Sequence, residues 1–392
     1  MSRGARRASL EVCRELWRER TLIGSAFATA IGVGYLPLLV LPWTIGALLA
    51  ATGRSESWAG WMATAEIGSL ALGSLAASRY AAMRGRRWIA AGGLAMALVA
   101  NIVSAFVAPG SVTFLAARVA SGAGFGACVA VGNATAAGSV NPTRAFATVW
   151  FLMALWQPVI FAATPWAISE AGLRGAYELI ACAALILAPL VVRIPDPRPG
   201  ASVAAAAARP GGRRVFAVLI LAAFLLFWLR EALVYSMSER LAAAQGLSGR
   251  QLGTILGVAS VVGLVGPVFA ARVGNSTPSP ALLCIGLLTA FGTSVVMAIG
   301  FSGWVFGAAA LLAPAASFFG ASLLSGLAGG VDSSGRLAAL GAGAGLLSEA
   351  VGPVAGGSLV ALGGVGALAA TVLAIGIAGA FSGTAAAVVA RR

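Results

Sequence analysis

The sequence predicts an all-α membrane protein: twelve transmembrane helices in two pseudo-symmetric six-helix halves. Three observations predict it. First, of 392 residues 59% are hydrophobic and only 10% are charged, whereas a soluble domain carries about 25% charge. Second, apolar runs follow one another with little interruption, and a crossing needs roughly 20 residues. Third, the arginines fall between those runs on alternate turns, as the positive-inside rule requires.

Residues 1–21 hold Arg3, Arg6, Arg7, Arg14, Arg18 and Arg20 interleaved with Glu11, Glu15 and Glu19. They lack the short apolar core and cleavage site of a signal peptide, and read as a cytoplasmic amphipathic lead-in. Crossings are expected near 22–50, 57–79, 88–107, 111–137, 145–169, 173–193, 214–237, 250–271, 280–300, 303–328, 337–362 and 365–389. The first is long and carries Pro37 and Pro42, so it should kink there. The expected organisation is a segment 1–21, an N-terminal half 22–193, a cytoplasmic linker 194–213 and a C-terminal half 214–392.

All 26 basic residues are Arg, against 12 acidic ones, for a net charge of +14. Arg without Lys, with abundant Ala, first reflects a GC-rich coding bias. With both termini inside, 20 of the 26 Arg fall on the cytoplasmic side. The charge is then a topology signal, and no soluble basic domain remains for a nucleic acid. No His is present to relay protons, act as a base or bind metal. Cys13, Cys128, Cys182 and Cys284 are scattered and form no metal or disulfide framework. These features exclude ordinary enzyme chemistry: no catalytic residue, metal or cofactor is expected.

The halves repeat. Gly73-Ser-Leu-Ala-Ala-Ser-Arg79 and Gly266-Pro-Val-Phe-Ala-Ala-Arg272 are offset by 193 residues. Asn141-Pro-Thr-Arg144-Ala-Phe-Ala and Asp332-Ser-Ser-Gly-Arg336-Leu-Ala-Ala are offset by 192. On these features the sequence resembles the major facilitator superfamily. Gly73, Arg79 and Gly85-Arg86-Arg87 are similar to that family's loop after its second span. Arg118-Val-Ala-Ser-Gly122-Ala-Gly124-Phe-Gly126 is similar to a span-four pattern of its proton-driven drug exporters. Gly352-Pro353-Val-Ala-Gly356-Gly357 resembles the exporters' span-five signature, but stands in span eleven, its pseudo-symmetric counterpart. The family's loop Asp falls at Ala77. The resemblance implies alternating access by rocking of the two halves about a central site.

Charges inside a bilayer cost about 2.5–3.5 kcal/mol each on insertion scales, so those that persist mark candidate function. Five stand within the expected spans: Glu66, Arg118, Arg230, Glu231 and Glu349. Glu66 and Arg118 lie at similar depth and are expected to pair, either as a structural ion pair or as a switch. Arg118, Gly122 and Gly126 share one face of span four, where glycine admits a close neighbour. Adjacent Arg230 and Glu231 point about 100° apart. Glu231 shares its face with Phe227 and Tyr235, and Arg230 with Leu226 and Val234. Glu349 sits near the midplane of span eleven among Gly345, Gly352, Pro353 and Gly356. It suits a protonation switch; the alternative is an acid hydrogen-bonded to a backbone carbonyl freed by Pro353. Gln157, beside Pro158 and preceded by Trp150 and Trp156, suits an amphipathic substrate. By the resemblance, Arg79, Arg144, Asp332 and Arg336 would close a cytoplasmic gate by salt bridges between the halves.

The expected function is proton-coupled export of amphipathic compounds by a monomer in a bacterial inner membrane, with a small-molecule substrate, protons and lipid as partners and no nucleotide. Uptake of an organic anion through Arg118 and Arg230 is the alternative. A non-transporting assembly factor or sensor is a second alternative, opposed by the five buried charges.

Overall fold

The computed structural model describes residues 3–197, 210–275 and 277–391, and the elements it holds are helical. Of the expected linker, residues 198–209 lie outside the described residues. The helices in chain order are α1 (Arg3–Phe27), then a π-helical turn (Ala28–Val33), α2 (Leu36–Thr52), α3 (Glu56–Ala81), α4 (Arg86–Phe106), α5 (Val112–Ala137) and α6 (Pro142–Val191). After the linker come α7 (Pro210–Ser236), α8 (Ser238–Ala244), α9 (Gly249–Val262), α10 (Val265–Val273), α11 (Pro280–Ile299), α12 (Gly303–Val331) and α13 (Arg336–Val389).

Nine stretches among the described residues are long and apolar enough to cross a membrane. Two are far longer than a crossing needs, α6 at 50 residues and α13 at 54. Each breaks where glycine takes a left-handed φ that a side chain would resist. Gly172 (φ 60°) divides α6 between the expected fifth and sixth spans. Gly364 (φ 67°) divides α13 between the expected eleventh and twelfth. The expected eighth span is also interrupted, at Gly263 and Leu264, between α9 and α10.

The first span differs from expectation. Its break precedes both prolines, at the π-helical turn and Gly34–Tyr35. Pro37 opens α2, where its missing N–H is not needed, and Pro42 is accommodated inside that helix. At this break Gly32 packs against Leu187, and Gly34 against Val129 of α5. The π-helical turn is wider than an α-helical one and so shifts the register of the residues that follow it, Tyr35 among them.

The sequence repeat has a structural counterpart. Ser55 and Ser248, 193 residues apart, both cap helix starts by accepting the N–H of Trp58 and Gln251. Ser111 and Ser302 do the same for α5 and α12. Gly73 presses on the backbone of Ala123, and Gly266 on that of Ala315. Gly93 meets Gly124 as Gly286 meets Gly320. With little hydrophobic drive between helices in lipid, such close approach supplies the association energy.

The chain before the linker touches the chain after it mainly at one end, which collects the arginine-rich loops. There Thr143 Oγ1 donates to the Asn275 carbonyl at 2.6 Å, and Arg144 Nε to the Ala271 carbonyl at 3.1 Å. Gly335 packs on Ala134, and Gly343 on Leu75. The Thr143 and Arg144 bonds both join the chain before the linker to the chain after it. The structure is therefore closed at its arginine-rich end.

Candidate functional site: two charge clusters and an aromatic layer

The glycine face of α5 sets the first cluster. Gly122 lies against the Glu66 carbonyl, and Gly126 against Leu70, so α5 and α3 nearly touch. Arg118, one turn earlier, then reaches Glu66, with Nη1 to Oε1 at 3.0 Å. The expected pair forms. Its surroundings complete it. Arg118 Nε and Nη2 donate to Ser104 Oγ at 3.0 and 2.6 Å, and Nη2 also to Asn101 Oδ1 and the Ala100 carbonyl. Ser121 Oγ donates to Glu66 Oε1 at 3.1 Å, and Asn101 Nδ2 to Ser121 Oγ at 3.0 Å. The guanidinium lies 4.0 Å from the Tyr177 ring centroid, a cation–π contact. Arg118 is 2% exposed and Glu66 8%. A narrow cleft lined by Thr44, Met62, Phe114 and Tyr177 reaches the pair.

The second cluster is built on α7. Arg230 is 1% exposed. It donates to Ser294 Oγ at 2.7 Å, Ser317 Oγ at 2.9 Å and Glu231 Oε2 at 3.0 Å. Its guanidinium sits 4.5 Å from the Phe227 centroid. This corrects the expected faces. Phe227 is buried with Arg230 rather than sharing an open face with Glu231. A long helical side chain leans toward the N-terminus, so the residue three positions earlier is the one it meets. Glu231 is half-buried and Tyr235 58% exposed. The adjacent charges thus pair with each other while the Glu231 side remains accessible.

Glu349 completes this cluster from α13. Gly341, Gly345 and Gly352 press that helix on Phe224, Trp228 and Ala232 of α7. Gly356 continues the stripe against Leu233 and Met237, and Pro353 lies exposed on the other side. Glu349 stands on this stripe, half-buried, within electrostatic reach of Arg230, Glu231, Tyr35 and Tyr235. Among the described residues it makes no ion pair and no hydrogen bond, including none to a carbonyl near Pro353. Glu66 and Glu231 each have an arginine; Glu349 has none.

An aromatic layer crosses from one half of the chain to the other. Trp150 of α6 stacks on Phe318 of α12 at 5.5 Å and lies 5.5 Å from Trp228 of α7. Tyr35 meets Trp150 edge-on at 6.3 Å. Trp150 is buried, and its indole N–H has no partner, nor has that of Trp156 or Nε of Arg230. An unmade bond of this kind costs about 1–3 kcal/mol. Gln157 is half-buried with no hydrogen bond among the described residues.

The four gate candidates separate. Arg144 does join the two parts of the chain, but to a helix-end carbonyl rather than a carboxylate, a favourable site for a cation. Asp332 is no inter-half salt bridge: it accepts from the Leu337 N–H at 2.9 Å and from Ser334, capping the start of α13. Arg79 lies over Tyr80 and Arg336 is exposed.

Sequence reasoning missed Tyr35, Trp228 and Phe318, which looked like apolar span residues. It also missed Asn101, Ser104, Ser294 and Ser317. Their signal was present, since a buried guanidinium needs several acceptors and these are the small polar residues of the neighbouring spans. Cys128 is buried, Cys182 exposed and Cys284 intermediate, and these three are free thiols.

The helices and buried charges define a polytopic membrane protein built around a polar interior. No protein-family model and no curated protein matches the chain. Solved structures do. The human organic anion transporter MFSD10 (TETRAN) aligns with TM-score 0.72 and 18% identity, over 93% of this chain and 99% of that one. The proton:xylose symporter XylE, bound to 6-bromo-6-deoxy-D-glucose, aligns with TM-score 0.71 and 14% identity, over 92% and 94%. FucP in its outward conformation aligns with TM-score 0.70 and 14% identity, over 96% and 98%. The chain has the major facilitator superfamily fold.

Proposed function

We propose that the protein is a secondary transporter that exports a small amphipathic organic cation in exchange for protons, and that Glu349 carries the exchange. The observation that carries this reading is the lone carboxylate. A charge inside the membrane without a partner is costly even when half-buried, so Glu349 favours a proton or a cationic ligand, and both compete for one group. Such competition couples two fluxes without a nucleotide.

The rest of the reading fits around it. The two glycine breaks turn two of the nine apolar stretches into four crossings, and α3 supplies the twelfth. The two six-helix halves then meet at residues 194–213, and the arginine-rich end, with both termini, faces the cytoplasm of a bacterial inner membrane. Arg144 and Thr143 hold that end shut, and rocking of the halves opens it. The protein acts as a monomer. The neighbours' substrates differ among themselves, and at 14–18% identity they support the fold rather than a ligand.

Uptake of an organic anion is the second reading. The unpartnered Nε of Arg230 favours it. Against it, both guanidiniums are already engaged by carboxylates and sealed from solvent. A proteoliposome pH-jump assay across cationic, neutral and anionic solutes decides. Cation flux that follows the pH gradient supports export; flux of anions alone, or flux indifferent to pH, overturns it.

A further inference from the structure

We propose that the groove between α6 and α10 seats one anionic phospholipid, with its phosphate on Arg144 and Arg272 and an acyl chain along Phe151 and Val268. This goes beyond the proposed function and depends neither on Glu349 nor on the substrate.

Three observations carry it. The first is space. An open groove of about 300 Å³ is lined by Ala147, Thr148 and Phe151 on α6 and by Val268, Ala271 and Arg272 on α10. Sites for small ligands begin at about this size. Arg144 and Phe151 are about 10 Å apart along α6, so the groove runs from the arginine-rich end into the apolar part of the span.

The second is surroundings. Trp150 and Phe151 are neighbours that point about 100° apart. Trp150 is buried in the aromatic layer, whereas Phe151 lines the groove. The groove therefore opens away from that layer. Leu155 and Val159 follow Phe151 at helical spacing, Val265 and Phe269 precede Arg272 at it, and all four are exposed. Exposed apolar side chains of this kind on a membrane span meet lipid chains.

The third is charge. Arg272 is exposed and makes no ion pair among the described residues. Arg144 is exposed too, and only its Nε is used, on the Ala271 carbonyl. Two guanidiniums thus stand at one mouth of the groove, and no carboxylate lines it. Basic pockets between helices bind anionic headgroups, and the guanidinium fork matches a phosphate. Because α6 precedes the linker and α10 follows it, the seated lipid touches both parts of the chain. It binds the arrangement closed at the arginine-rich end and so favours it.

The test is native mass spectrometry of the full chain with added phosphatidylglycerol or phosphatidylcholine. Wild type retains one phosphatidylglycerol about tenfold more tightly than phosphatidylcholine. Arg272→Gln weakens phosphatidylglycerol about fivefold, the worth of one arginine near an anionic surface, and leaves phosphatidylcholine unchanged. Val268→Trp fills the groove, keeps both arginines and weakens it by as much. Arg84→Gln, at an exposed arginine that does not line the groove, changes nothing. Glycerol 1-phosphate at equal concentration does not compete. In nanodiscs, phosphatidylglycerol in place of phosphatidylcholine raises the population closed at the arginine-rich end, read as spin-label distances, in wild type but not in Arg272→Gln. The proposal is overturned if the two lipids bind alike, if Arg84→Gln costs as much as Arg272→Gln, if folded Val268→Trp binds as wild type does, if glycerol 1-phosphate displaces the lipid, or if the distances do not respond. Should Val268→Trp fail to fold, the contrast of Arg272→Gln with Arg84→Gln and the competition decide.

Discussion

The two arginines of the membrane interior are held in opposite ways. Arg118 uses all three guanidinium nitrogens, on Glu66, Ser104, Asn101 and a backbone carbonyl. Glu66 accepts from Ser121 as well. Arg230 pairs with Glu231 but leaves Nε without a partner, and a second carboxylate, Glu349, stands beside the pair with no bond of its own. A fully satisfied polar cluster rigidifies a core, whereas a partly satisfied one is poised to gain or lose something. On the function proposed above, the N-terminal cluster is the fixed member of the two and the C-terminal cluster the working one.

A ranked set of substitutions breaks or sharpens this contrast. The largest functional effect belongs to Glu349→Gln, which abolishes pH-driven flux in proteoliposomes while the purified protein keeps its thermal midpoint. The same change at Glu66 leaves the flux pH-dependent; if Glu66→Gln uncouples as fully, the two clusters do not differ in kind. Next is stability. Arg118→Ala strands a buried carboxylate and costs about 3–5 kcal/mol, read as a lowered thermal midpoint in detergent. The double change Glu66→Gln with Arg118→Met costs less than Arg118→Ala alone.

Gly122→Ala follows. Its new methyl meets the Glu66 carbonyl and Ser69 Oγ, and such overpacking costs about 1–3 kcal/mol. Gly357→Ala, which meets nothing within 4 Å, serves as its neutral counterpart. The smallest effect is that of Arg144→Ala, which removes one solvent-exposed hydrogen bond between the two parts of the chain, about 0.5–1.5 kcal/mol. It shifts the population toward opening at the arginine-rich end, seen as a lengthened distance between spin labels placed on the loops there.

The fold was legible because its determinants are one-dimensional. Apolar run length, arginine placement and the 193-residue offset need no tertiary knowledge, and Gly172 and Gly364 break the long helices where the runs had been divided. The Glu66–Arg118 pair was legible for a similar reason: equal depth in neighbouring spans. What escaped was lateral. Asp332 looked like a gate charge because its local role, capping α13, needs the loop's backbone geometry. Arg230 turned toward Phe227 because a long side chain's lean is set by rotamer, not by position on a wheel. Tyr35 was hidden because it follows a π-helical turn, which an α-helical wheel does not anticipate.

The central claim is that the exchangeable proton resides on Glu349. Infrared difference spectroscopy on the purified protein, titrated through the neutral range without any substrate, reports protonated carboxyl groups directly. The account predicts a carboxyl band that appears on acidification in wild type and in Glu66→Gln, and is missing in Glu349→Gln. A band that persists in Glu349→Gln and vanishes in Glu66→Gln would place the proton in the other cluster and contradict it.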